Sequence, residues 1–292
     1  MNLSTVFPGA KPKVLRRITL LALVMALVAH GFCFFNLTYS GESVMLNAAK
    51  GSSSQISSGA FLLPVYWHVR GAISAPFWVS LLSVSYLALT AALIGALLGV
   101  ASPYLTIMLA GAVTLSPSVL TVFAGSIHTA DAVFLSVLLA ACAVVFCLRI
   151  RAGALLGALV LAAAQALDRS ALAFYLGLTV LCVLRGLLDS EEPTRVIVRR
   201  ALRALLCAAI GMTVYAGGFL LFLHRFGLDR EAVLQAPAGQ SLVGAWLYPI
   251  RLLFRPLTIY AHVGVVLHAL LIALGGFALL KRLPRCRGRI PA

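Results

Sequence analysis

The chain has 292 residues, of which 62% are hydrophobic and 11% charged, with a mean hydropathy of +1.03. A soluble domain carries about 25% charged residues, so this composition excludes a soluble enzyme, a disordered chain and a secreted disulfide scaffold, and it implies an all-α integral membrane protein. The net charge of +15 would suggest a nucleic-acid binder in a soluble chain; here it fits basic loops held against an anionic membrane face, and no nucleic-acid partner is expected.

A helix needs about 20 mostly apolar residues to cross the hydrocarbon core, and apolar runs give about eight transmembrane helices. Residues 1–17 are a basic N-terminal segment with Lys11, Lys13, Arg16 and Arg17. The first run, Ile18–Phe35, has no small-residue cleavage site behind it and reads as an uncleaved first helix. Residues 36–76 form a long loop with Ser40-Gly41-Glu42-Ser43, a serine-rich stretch at Ser52–Ser58 and an aromatic, amphipathic stretch, Phe61–Gly71. Tyr66 and Trp67 suit that stretch to a membrane interface. Six runs follow: Phe77–Val100, Tyr104–Ala124, Ala132–Leu148, Ala152–Leu167, Ser170–Leu184 and Ala204–Leu223. A basic loop at Arg185–Arg203 precedes the last of these. The second long loop, residues 224–256, carries Trp246, Tyr248, Arg251 and Arg255 and also reads as amphipathic. Leu257–Leu280 is the eighth run, and residues 281–292 are a basic tail. The whole of 1–292 reads as a single polytopic membrane domain without an internal repeat.

Charge sets the orientation. With the N-terminus inside, sixteen Lys and Arg residues fall on the inner side and seven on the outer, the bias expected of a chain with both termini cytoplasmic. Both long loops are then on the outer face. Glu42, Asp131, Asp168, Asp229 and Glu231 lie outside or at outer helix ends, and Asp189, Glu191 and Glu192 lie inside. Five of the six cysteines sit inside apolar runs as small hydrophobes, and no metal-binding cysteine spacing occurs.

The outer charges carry the candidate chemistry. Glu42 is the only acid in the first 130 residues; it is either a partly desolvated general base at the membrane surface or a solvated loop residue. Asp131 opens the fourth run, where a carboxylate favours the positive helix end. His128, three residues earlier, can share its face and help position a hydroxyl or a divalent cation, although two ligands are too few for a metal site. Asp168 and Arg169 adjoin at the end of the fifth run, either as an interfacial pair that turns the chain or as polar groups facing the same outer cavity. Arg70, Arg251 and Arg255 are outer arginines, each either snorkelling to headgroups or holding a lipid phosphate. His262 and His268 in the last run are bundle hydrogen-bonders or a proton relay.

In order along the chain, several stretches are similar to one family. They are Gly31–Asn36 with Thr38–Ser43, Ser57-Ser58-Gly59 through Pro64, Arg70-Gly71, Pro76-Phe77-Trp78, Ser126–Asp131, Tyr215 and Ala238-Gly239-Gln240-Ser241. The chain resembles the polytopic glucosyltransferases that modify bacterial O-antigen, the type II Gtr-like group within the multispan GT-C glycosyltransferases. The resemblance implies transfer of a sugar, glucose by the family's habit, from a polyprenyl-phosphate donor to a cell-surface, lipid-linked glycan acceptor at the outer face of the inner membrane. It implies catalytic roles for Glu42 and Asp131; the reading of the charges themselves puts His128, Arg70, Asp168, Arg169, Arg251 and Arg255 at the substrate, with membrane lipids as further partners, and expects no definite cofactor, a divalent cation being the one candidate. Departures are visible: Glu42 stands where the family usually has Asp, Gly59-Ala60-Phe61 lacks the family's Arg, and Asp168-Arg169 replaces a Tyr-Gln pair. With a length of 292, the chain is expected to be a shortened, divergent member. A flippase for a lipid-linked sugar and a non-catalytic partner of a larger transferase are the competing readings.

Overall fold

Prolines open the helices. Pro12, Pro64, Pro76 and Pro103 each stand at the first or second position of a helix, where the missing N–H would have no intrahelical partner anyway. The computed structural model describes residues 11–36, 55–56, 58–71, 75–125, 127–150, 152–189 and 193–228. The helices are α1 (Pro12–Phe35), α2 (Leu63–Val69), α3 (Pro76–Leu97), α4 (Pro103–Thr114), α5 (Pro117–Gly125), α6 (Ala130–Arg149), α7 (Gly153–Leu167), α8 (Ala171–Asp189) and α9 (Thr194–Arg225). A 3-10 turn, Ile127–Thr129, leads into α6. Among the described residues there is no strand, and six helical segments are long and apolar enough to cross a membrane. The eighth apolar run, with His262 and His268, lies outside the described residues.

Three expected boundaries move, each for a physical reason. Pro117 cannot donate to the Val113 carbonyl and its ring crowds that carbonyl, so the third run divides into α4 and α5. Arg195, Arg199 and Arg203 are not loop residues: they recur every fourth position in the first turns of α9, and arginine is a good helix former. Likewise Arg185 lies within α8, and α1 begins ahead of Arg16 and Arg17.

Helix α6 is the hub, packed on α3, α7, α8 and α9. Helix α7 has 15 residues and spans only about 22 Å, short of the roughly 30 Å hydrocarbon core. It lies between α6 and α9 with nine of its residues buried. Its approach to α6 depends on Gly157, where an added Cβ would sit 3.0 Å from the Ala143 carbonyl oxygen. Close backbone contact through small residues is how helices pack where lipid supplies no hydrophobic drive. At the α4–α5 break, the buried His30 of α1 donates from Nε2 to the Thr114 carbonyl at 2.9 Å and stacks on Phe123 at 4.2 Å between ring centroids.

The contacts at the helix ends sort by chemistry. At one end arginines cover helix C-termini: Arg185 and Arg149 donate to the Leu97 carbonyl at 2.9 and 3.4 Å, and Arg203 donates to the Ile150 carbonyl. Cations are favoured there by the helix dipole. The opposite end gathers α2, the starts of α3 and α6 and the ends of α7 and α9.

Candidate functional site

Two clusters fix residues 59–71 to that second end. The first centres on Asp131, in the first turn of α6 and fully buried. Tyr66 and Arg70 stand four residues apart, which puts them on one face of α2 and the turn that ends it. The Tyr66 hydroxyl donates to Asp131 Oδ2 at 2.8 Å, and Arg70 Nη1 donates to the same oxygen at 2.6 Å. Arg70 Nη1 also reaches the His128 carbonyl at 3.4 Å, and its guanidinium carbon lies 5.9 Å from the centre of the Tyr66 ring.

This ion pair is withdrawn from solvent, with the Arg70 side chain 7% exposed and Asp131 0%. Burying two charges requires close geometry and further hydrogen bonds to offset desolvation, and Tyr66 and the His128 carbonyl supply them. Burial, reinforced by the Asp131 charge, holds the Tyr66 phenol above its ordinary pKa, so Tyr66 remains a donor across the physiological range. The network is nevertheless incomplete. Asp131 Oδ1, Arg70 Nε and Trp67 Nε1 are buried with no hydrogen-bond partner, although buried polar atoms are nearly always satisfied. Chemically, one carboxylate oxygen is pinned and the other stays open to accept a hydrogen bond or a proton.

The second cluster is a latch. Leu62 N–H donates to the Ala166 carbonyl in the last turn of α7 at 2.9 Å. Tyr215 of α9 donates its hydroxyl to the Gly59 carbonyl at 3.0 Å, and Arg169 Nε donates to the Tyr215 hydroxyl oxygen at 3.3 Å. Phe61 packs into rings from α9, with centroids 5.6 Å from Tyr215 and 4.9 Å from Phe222. Gly59 has φ +91°, and a Cβ there would lie 2.2 Å from Arg169 Nε and 2.5 Å from the Tyr215 hydroxyl.

The structure therefore brings together Asp131, Arg70 and the backbone of His128. Asp168 and Arg169 act separately: Asp168 Oδ1 accepts the Ser170 N–H at 2.7 Å and the Ser170 hydroxyl, turning the chain into α8, while Arg169 joins the latch. Glu42, Arg251 and Arg255 lie outside the described residues. Among the described residues no group of three His, Cys, Asp or Glu side chains is placed to hold a metal. By sequence alone Tyr66 and Trp67 are interface aromatics, not joined to Asp131. The four-residue spacing of Tyr66 and Arg70 was the available signal.

No curated protein and no solved structure matches the chain. A sequence model of one family, glucosyl transferase GtrII, matches residues 31–289. That match contains both clusters, from the Gly59 turn through Asp131 to Tyr215. By a match over most of its length, the chain belongs to the glucosyl transferase GtrII family.

Proposed function

We propose that this protein is a multispan, GT-C-type glucosyltransferase of the bacterial inner membrane, with eight spans and both termini cytoplasmic. It moves glucose from a polyprenyl-phosphate donor to a lipid-linked cell-surface glycan, such as an O-antigen, at the outer face. The observation that carries this reading is the family match over residues 31–289. The sorting of the helix ends supports the sidedness: arginines on carbonyls at one end, Asp131 and Asp168 at the other.

In the proposed step Glu42 takes the proton of the acceptor hydroxyl. The acceptor oxygen bonds to the anomeric carbon, the bond from that carbon to the phosphate oxygen breaks, and its electron pair leaves with polyprenyl phosphate. The configuration at the anomeric carbon inverts. Asp131, pinned through Oδ2, offers Oδ1 to orient the reacting sugar. An immobilised group of this kind acts by holding the reactants in a near-attack geometry. His128 and Arg70 contribute to the substrate surface, and Arg251 and Arg255 are assigned to it from the sequence alone.

The test is transfer of radiolabelled glucose in proteoliposomes containing the purified protein and a lipid-linked glycan. Polyprenyl-phosphate glucose is expected to serve as donor, and a nucleotide-linked glucose is not. Transfer from the nucleotide donor alone would refute the proposed donor.

A further inference from the structure

The three orphaned atoms beside the Arg70–Asp131 pair have a definite chemistry. Asp131 Oδ1 only accepts, while Arg70 Nε and the Trp67 indole N–H only donate. Trp67 and Arg70 are three residues apart on one face of the same turn, and Arg70 holds Asp131 at 2.6 Å. Asp131 Oδ1 and Arg70 Nε are thus buried without partners side by side, and Trp67 Nε1 is buried without a partner one helical turn from Arg70. Each buried orphan is unfavourable unless something fills it.

The charge balance limits what the occupant is. The guanidinium and the carboxylate offset each other, and the open atom of Asp131 is an anionic oxygen. A phosphate has acceptor oxygens and negative charge, so it would be repelled at Oδ1 and would leave that atom without a donor. A hydroxyl both donates and accepts, and a hexose presents several hydroxyls a few ångströms apart. We infer that Asp131 Oδ1, Arg70 Nε and Trp67 Nε1 form a subsite for the hydroxyls of a neutral sugar, and that the donor's phosphate binds elsewhere. The inference rests on the proposed glucosyl transfer only in taking the sugar to be glucose. Arg70 is then a sugar-binding residue and Tyr66 a positioning residue that acts through Asp131.

The chain has three tryptophans. With Trp78→Phe and Trp246→Phe, emission in lipid nanodiscs reports Trp67 alone. The probes are polyprenyl-phosphate glucose, polyprenyl phosphate without sugar, and octyl glucoside below its micellar concentration. The two glucose-bearing probes are expected to shift Trp67 emission, and polyprenyl phosphate is not. In the otherwise native chain Trp67→Phe is expected to weaken binding of radiolabelled polyprenyl-phosphate glucose by about fivefold, the effect of one net hydrogen bond, with polyprenyl phosphate binding unchanged. If Trp67→Phe does not fold, the emission titration on native Trp67 still decides. An equal response to polyprenyl phosphate with and without sugar would make this a phosphate site and overturn the inference. Silence towards all three probes would leave water as the occupant and overturn it too, even if glucosyl transfer is intact. A response to octyl glucoside with no transfer from any donor would uphold the subsite and refute the transferase reading.

Discussion

Replacing Gly59 by alanine isolates the latch that fixes residues 59–71 to the bundle. At φ +91° an L-residue is strained by about 1–2 kcal/mol. The new methyl would also collide with Arg169 Nε at 2.2 Å and the Tyr215 hydroxyl at 2.5 Å. Both side chains must move, which breaks the Tyr215 bond to the Gly59 carbonyl and loosens the Arg169 bond to Tyr215. Each is worth about 1 kcal/mol, and the Arg169 contribution is discounted because that side chain is exposed. The expected loss is therefore about 2–4 kcal/mol in unfolding free energy, measured by SDS titration in mixed micelles, together with reduced glucosyl transfer. Gly177→Ala is the control: a Cβ there meets nothing within 4 Å, and alanine in a helix interior is favoured over glycine by about 0.5–1 kcal/mol. A Gly59→Ala protein as stable and active as wild type would refute the latch.

Three further predictions use the same preparation. Arg70→Met, which strands a buried carboxylate, is expected to cost about 3–5 kcal/mol, and the double variant Arg70→Met/Asp131→Leu less than that; a double loss equal to the sum of the singles would argue against a coupled pair. His30→Phe is expected to cost about 1–3 kcal/mol by leaving the Thr114 carbonyl unpaired, with partial recovery in His30→Gln, whose amide can still donate; equal stability of both to wild type would remove His30 from the helix break. For Tyr66 the pH sign follows from its raised folded-state pKa. Below the ordinary tyrosine value of 10.0 the phenol is protonated folded or unfolded, and above it only the unfolded chain ionises. Wild type should therefore lose stability relative to Tyr66→Phe as pH rises past 10.0, and parallel curves would show that Tyr66 ionises freely.

Much of the bundle is legible in the sequence because apolar runs map directly onto helices where lipid is the solvent. The runs that begin at Phe77 and Ala132 reappear as α3 and α6 within a few residues. Helix ends are less legible: Arg195, Arg199 and Arg203 look like loop by charge, yet arginine both favours a helix and can extend to polar surroundings from one. Pro117 marked the α4–α5 break, but its partner His30 lies 84 residues from Thr114, and no spacing rule links them. The same holds at the site. Asp131 and Arg70 each drew attention as isolated outer charges, and their pairing across 61 residues is a product of packing. The latch is hidden for another reason: Ala60 and Phe61 stand out only as departures from the family's pattern, and the role of Gly59 and Phe61 depends on Tyr215, 156 residues away from Gly59.

Glucose transfer at this end of the bundle is open to a direct test. The most direct measurement is the initial rate of transfer from polyprenyl-phosphate glucose to a lipid-linked glycan by wild type, Glu42→Gln and Asp131→Asn, reconstituted at equal amounts of folded protein. Transfer is expected from the wild-type protein and is expected to be lost in both variants. Wild-type rates in both variants, or no transfer by the wild-type protein, would contradict that expectation.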